Sequence, residues 1–546
     1  MSRVQQDLSI SPHNGSALNH LESAMLRRVL PRGRVPHVCV VGAGMAGLRC
    51  ADILAMRGFR VTILEARDRI GGRVHQSSAL GHLADLGPNW IHGTDHNPIL
   101  DLAKETTTTT FHPNGDTILV YDESGKLLEG QKAAEHSELV WGIIGNAFKY
   151  SNQESASIPQ DRSLMDYFHT SLEEKKLAED SSALVLQMAR IWGDFIGDPI
   201  EKQSLKYLWL EECIDGENLF VASTYKAILD RIARAVLEKA EIHTSTKVTK
   251  IVSNTKLQSD HPLSIAISTD TNDAPFLYDE VIVTVPLGFL KRNLSSFSPP
   301  LPDHLVNAIS HIPYGRLEKV YVNFPRAYWT DGQSATANNS FFTHFLQPTD
   351  ARTQNPHEFV SLAALPNGCA QPTILFYMHG ACAEHVTSLI NNLSPSSPEY
   401  YTRLNDFFSP YYSLLPNFNP SSPDCTPKAF LATNWQNDEF AGYGSYTNFQ
   451  VSHAAEPVLY DKDIETLRHG APERHVWLAG EHTAPFVALG TVTGAYWSGE
   501  AVAKRVLHAY GMLDAEDEVR DLGREGDEMM DGKGEGTAHG AGLVAL

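Results

Sequence analysis

Residues 38–74 read VCVVGAGMAGLRCADILAMRGFRVTILEARDRIGGRV. Val38 to Val41 is a short apolar run of the buried-strand kind, and Gly42, Gly44 and Gly47 then supply G-x-G-x-x-G at the turn into a helix. The first glycine permits a tight turn, the second lets backbone approach a pyrophosphate, and the third lets the helix pack close to the strand. The helix N-terminus then offers free N–H groups and a partial positive charge to the phosphates. A second apolar strand, Val61 to Leu64, ends at Glu65, where a ribose hydroxyl pair would be gripped. Alone, the glycines would be weak evidence. Strand, helix, second strand and terminal acid in this order read as an adenine-dinucleotide unit, and so as an α/β fold.

The continuation narrows the dinucleotide. Ala51 and Gly58 occupy the small-residue positions of the flavin form of the fingerprint, and EARDRIGGRV follows at once. Further along come ADLGPNWIHG at 84–93, VWLAGEHTAPF at 476–486 and GTVTGAYW from 490. Together these segments resemble the flavin-dependent amine oxidase superfamily, which includes monoamine oxidases, polyamine oxidases and histone lysine demethylases. The resemblance implies FAD, held by Gly42, Gly44, Ala46, Gly47, Glu65 and Ala66. Arg67, Gly71, Gly72 and Arg73 would add contacts to the pyrophosphate. Gly87, Pro88, Asn89 and Trp90 would pass under the flavin ring, with Val248 and Trp435 contributing further contacts. Gly480 would meet the pyrophosphate and Glu481 a ribityl hydroxyl. Thr491 and Val492 would meet the pyrimidine end of the flavin, where a helix N-terminus stabilises negative charge on the reduced ring.

The implied architecture is a discontinuous Rossmann-like FAD-binding domain (36–110, 220–300 and 465–510) interrupted by a mixed α+β substrate-binding domain (111–219 and 301–464). Residues 1–35 read as a loose lead-in, and 511–546 as a disordered acidic and glycine-rich tail with little to bury. Between the motifs, Leu184–Ile196 has the spacing of an amphipathic helix, and a second helix is expected at Tyr225–Leu237. Strand-like runs lie at 243–252, at Asp279–Leu290 up to Pro286, at Val320–Phe324 and at Thr373–Met378.

Composition excludes several functions. The formal net charge of −21 argues against nucleic acid, which needs a basic face; acidity favours a cation such as a polyamine only weakly. No window approaches the twenty apolar residues of a membrane span, so no membrane partner is expected. The six cysteines show no C-x-x-C or zinc spacing, so neither a disulfide framework nor a metal site is expected. The cysteines make a reduced intracellular setting the simplest expectation, cytoplasmic or, although the C-terminus is not an SKL-type tripeptide, peroxisomal. No second dinucleotide unit is visible, so electrons are expected to come from the substrate and leave to dioxygen.

Lys319, in GRLEKVYVNFP, stands where the superfamily places a lysine linked through water to flavin N5. A plain alternating strand would instead leave it facing solvent, since it follows Glu318. Monoamine oxidases carry a flavin-linking cysteine just before a tyrosine in a glycine-rich turn. Here AGYGSYTN puts Ser445 there, followed by Tyr446, so the FAD is expected to be noncovalent. Tyr446 could flank an amine or fill a core. Thr491 replaces the second tyrosine of the monoamine oxidase aromatic pair. His92 matches the back-converting polyamine oxidases, where plant catabolic enzymes tend to have an acid; the alternative is a turn histidine. Glu211 and Glu212, in LWLEECIDG, lie near an acidic position of the polyamine oxidase cavity, although a solvated loop explains them as well.

The expected activity is oxidation of a small-molecule amine, most simply a polyamine or its N-acetyl derivative, by hydride transfer to flavin N5. Imine hydrolysis and reduction of dioxygen to hydrogen peroxide would follow. An amine or L-amino-acid oxidase tailoring a small metabolite, a lysine demethylase and a non-catalytic FAD-binding protein are the competing readings. The sequence names no oligomeric partner.

Overall fold

A computed structural model describes residues 28, 33–113, 118–253, 265–332, 340–347 and 356–512. Most of the expected lead-in, and the tail from 513, lie outside these residues.

A five-stranded sheet organises the lobe that carries the glycine motif. Its order is Val476–Leu478, Glu280–Val283, His37–Val41, Arg60–Leu64 and Glu241–His243, with every neighbour parallel. Parallel sheets bury both faces, which is why HVCVV, RVTIL, EVIV and VWL are near-continuous apolar runs. Cys39 and Cys50 are fully buried here and pack as small apolar groups. The helix Met45–Met56 makes the crossover from the first strand to the second. Against it packs the last helix, Val492–Ala509, so closely that a Cβ on Gly499 would lie 2.3 Å from the Ala46 carbonyl oxygen.

The second lobe is built on a six-stranded sheet in the order Ala429–Ala432, Glu318–Asn323, Thr373–Met378, Glu358–Ser361, Phe342–Phe345 and Ile118–Tyr121. It is antiparallel except at its last pair. Helices Gly130–Glu154, Leu164–Lys175 and Glu179–Ala189 share one apolar core. A small sheet of Trp90–Ile91, Leu219–Val221 and Thr110–Phe111 ties the segment at 84–93 to both lobes.

Several local expectations need correction. Residues 243–252 form no single strand: Glu241–His243 ends on the parallel sheet, and Val248–Ser253 enters a separate four-stranded sheet. The run from Asp279 is strand only over Glu280–Val283, and Leu287–Arg292 beyond Pro286 is helical. Leu184–Ile196 is not one helix but Glu179–Ala189, a 3-10 turn at Arg190–Trp192 and a short helix Gly193–Ile196. The second expected helix runs Lys226–Lys239.

Candidate active site

At the dinucleotide end, each glycine of the fingerprint has its own constraint. Gly42 sits at φ +107, a left-handed conformation, and a Cβ there would lie 2.8 Å from Thr284 Oγ1. A Cβ on Gly47 would lie 2.1 Å from the Gly42 carbonyl oxygen. Gly44 differs: a Cβ there meets no protein atom within 4 Å, so packing does not require this glycine. The open cradle beside Gly44 fits a pyrophosphate, and the helix that begins at Met45 has no acid in its first turn to compete for the charge. Glu65 closes the unit. Its carboxylate is buried and accepts the Ala43 N–H at 2.7 Å and the Arg67 N–H at 2.8 Å. Ala66 follows directly, and Val248 begins a strand nearby, where the Thr246 N–H reaches the Glu65 carbonyl.

The arginines bind this region together. Arg67, expected to reach the pyrophosphate, is held by both Asp438 oxygens at 2.9 Å and stacks on Phe440. Arg73 donates to the Ser445 carbonyl at 2.6 Å and pairs with Glu481 at 3.1 Å. That pair joins the first motif to the last. Beside Glu481 lies Thr447, whose buried hydroxyl oxygen has no partner among the described residues. Thr491 caps the final helix by accepting the Gly494 N–H at 2.9 Å, ahead of Val492.

Lys319 is buried, at 6% exposure, and so is Glu318, at 1%. Their strand is covered on both faces, so alternation cannot send either side chain to solvent. Glu318 accepts the Gln436 N–H at 2.8 Å and the Thr433 hydroxyl at 2.5 Å, and burial pushes its carboxyl up to about 7. The Lys319 ammonium instead meets the segment expected under the flavin, donating to the Gly87 carbonyl and to Asn89 Oδ1. It also stands 5.6 Å from the ring of Tyr377, its cross-strand neighbour. Burial pulls the Lys319 ammonium well below the usual lysine range and raises buried Asp85, and the two attract each other. Tyr377 donates to Asn89 Oδ1 at 3.2 Å, Trp90 Nε1 donates to Tyr377 at 3.2 Å, and Trp435 Nε1 donates to the Leu86 carbonyl at 3.2 Å.

The loop 211–218 lies directly against 92–95. Thr94 and Asp95 N–H groups reach the Asp215 carbonyl, and Gly93 N–H reaches Asn218 Oδ1 at 3.2 Å. A Cβ on Gly93 would strike the Ile214 carbonyl oxygen at 2.1 Å. Burial lowers the His92 imidazole to about 4, with Asn218 partly opposing, so it is neutral at ordinary pH. The two glutamates part company. Glu211 ends a 3-10 turn, accepts the Phe449 N–H at 3.0 Å and is pushed up to about 8 by burial. Glu212 turns to Asn152 Nδ2 at 2.7 Å. Tyr446 donates to the Phe195 carbonyl and feels the charge of Glu211. Its ring packs on Gly490, where a Cβ would meet the Thr447 carbonyl oxygen at 3.3 Å and Tyr446 Cδ2 at 3.4 Å.

The pattern of the flavin-containing amine oxidoreductases matches residues 45–507. The chain belongs to that family. It is 28% identical over 481 residues to probable polyamine oxidase 4 of Arabidopsis thaliana, across 86% of each chain. It is 27% identical over 511 residues to polyamine oxidase 2 of the same plant, across 90% of this chain and 93% of that one. Its fold is shared with a solved putrescine oxidase double mutant redesigned in its cofactor binding, at a TM-score of 0.62 and 17% identity, over 87% of this chain and all of the other. The cofactor of this amine oxidoreductase is FAD.

In this amine oxidoreductase the structure brings Lys319 to Gly87 and Asn89, and the loop of Glu211 to the segment of His92 and to Tyr446. Three participants were not read from the sequence. Asp85 announces itself only as an acid inside the apolar-edged ADLGPNW. Tyr377 could have been placed only by knowing its register opposite Lys319. Asp438, the partner of Arg67, lies 371 residues away in the chain.

Proposed function

We propose that the chain oxidises polyamines or their N-acetyl derivatives, with noncovalent FAD. The observation that carries this reading is the partly buried Glu211 beside Tyr446, on a loop fastened to a neutral His92: a carboxyl group that ionises as pH rises through 8, an aromatic face and an imidazole suit a flexible substrate with several amines. The similarity to proteins named polyamine oxidases supports the same class.

Glycines 42, 44 and 47, Glu65 and the Glu481 segment would hold FAD. Bound FAD supplies a two-electron acceptor for the substrate's α-carbon hydride and, in turn, a donor to dioxygen. The residues of the chain do the rest. Glu211 draws an ammonium group toward Tyr446 when ionised. His92, neutral above about pH 4, can accept a hydrogen bond from an amine without competing with it for charge. Lys319, less basic than usual, can hold a water between Gly87, Asn89 and the cofactor and move its proton. Anaerobic mixing with spermine, N-acetylspermine, a monoamine and an amino acid tests the reading. Bleaching by the polyamines alone supports it; bleaching by the amino acid first, or by none, rejects it.

The acid limb also has a definite sign. A carboxyl raised to about 8 is neutral below that pH, so its attraction for ammonium grows as pH rises through 8. Glu211→Gln is therefore expected to behave as wild type near pH 6 and to bind spermine about tenfold more weakly above pH 8, where a charge contact worth about 1.4 kcal/mol is lost. KM measured from pH 6 to 9 decides: a uniform change across the range would place Glu211 in a structural role.

Ser445 Oγ accepts the Leu317 N–H at 3.0 Å and, as an alcohol, cannot make a thioether. Acid precipitation is expected to release all the flavin into the supernatant. Yellow colour retained in the pellet would show a covalent bond.

A further inference from the structure

We propose that Asp194, His357 and His379 form a buried binding site for one divalent transition-metal ion of the zinc type. One ligand atom from each residue lies within 4.8 Å of the other two. The residues come from three elements: Asp194 from the short helix Gly193–Ile196, His357 from the approach to the strand Glu358–Ser361, and His379 from the end of Thr373–Met378.

Two unpartnered atoms set this cluster apart from an ordinary buried hydrogen-bond network. Asp194 is 7% exposed, and while its Oδ1 is 2.7 Å from His379 Nδ1, its Oδ2 has no partner among the described residues. His357 Nε2 is likewise buried and unpartnered. A buried carboxylate oxygen and a buried ring nitrogen without partners are each costly, and a cation that accepts both lone pairs removes the two penalties together. Glu358, held through Oε2 at 2.9 Å from His344 Nε2, adds a second carboxyl group beside the cluster, and the Arg190 guanidinium faces His357.

Packing holds both rings in place. The His357 and His379 rings stack at 5.0 Å between centroids and 18° between planes. Gly193 presses on the far side of His379: a Cβ there would lie 2.1 Å from Nε2, which leaves Nδ1 as the nitrogen turned toward Asp194. Two imidazoles and a carboxylate suit zinc and its neighbours rather than calcium or magnesium, with a fourth position left for water. Metal binding would displace the proton shared between His379 Nδ1 and Asp194 Oδ1 into solvent. The ion would staple the short helix to two strands of the six-stranded sheet. This helix also carries the Phe195 carbonyl that receives the Tyr446 hydroxyl, so the staple would stiffen the wall that holds Tyr446.

The test uses the full FAD-loaded chain, stripped with a chelator and equilibrated with zinc ions, with bound metal measured by elemental analysis. We expect one zinc per wild-type chain. Asp194→Asn and His357→Gln should each weaken zinc binding about 100-fold or more, with flavin absorbance per chain unchanged. Should a variant fail to fold, cobalt-loaded wild type still decides by X-ray absorption. A first shell of nitrogen and oxygen containing two imidazoles supports the site; an all-oxygen shell overturns it. Wild type without tightly held zinc, or folded variants that keep it, would overturn it equally.

Discussion

Replacing Lys319 with methionine is expected to leave FAD bound and to slow turnover by roughly 10²–10⁴-fold, the usual cost of losing a positioned proton-transfer group. Methionine keeps most of the volume in a strand buried on both faces, so the core should tolerate it. What disappears is the only side chain among the described residues that donates to both the Gly87 carbonyl and Asn89 Oδ1. Asp85 loses its attracting cation in the same step, so its already raised carboxyl moves further toward the protonated form. The loss can fall on flavin reduction by the amine or on reoxidation, and stopped-flow measurement of each half-reaction separates them. Wild-type rates in both would remove Lys319 from the chemistry.

Glu65→Ala is expected to cost both cofactor retention and stability. The carboxylate accepts two backbone N–H groups, Ala43 and Arg67, and the substitution strips both of their acceptor. Each N–H left unpaired costs about 1–3 kcal/mol, in addition to the lost ribose contact. Glu65→Gln keeps one acceptor oxygen but turns an amide N–H₂ toward a donor, so it should fall between wild type and alanine. Flavin occupancy after gel filtration and the melting temperature with and without added FAD check both parts. Full occupancy in the alanine variant would mean that the ribose is not held at Glu65.

The dinucleotide unit could be read from sequence because its parts are local: strand, glycines, helix, second strand and acid fall within 38–65. The surroundings of Lys319 could not. Period-2 reasoning assumes one wet face, and Glu318–Asn323 has none. Adjacent acids at 211 and 212 looked interchangeable, yet a 3-10 turn ends between them and sends one to Phe449 and the other to Asn152. The helix expected at Leu184–Ile196 breaks after Ala189, and it is this break that places Asp194 near two histidines more than 160 residues away in the chain. Zinc-like spacing cannot reveal ligands that only tertiary packing assembles.

The parallel sheet also has a consequence for biosynthesis. One of its edge strands, Val476–Leu478, and the helix that locks onto Met45–Met56, Val492–Ala509, arrive among the last residues of the described chain. A ribosome releases the glycine fingerprint first; the helix Lys226–Lys239 can pack on Met45–Met56 earlier, but Val492–Ala509 emerges more than 400 residues later. Sequence separations this long make folding slow and leave apolar strands uncovered in the interval. The growing chain is therefore a natural client for chaperones. Supply of FAD to the nascent protein should matter little, because Glu481 and the helix Val492–Ala509, which would complete the cofactor cradle, leave the ribosome more than 400 residues after the glycines.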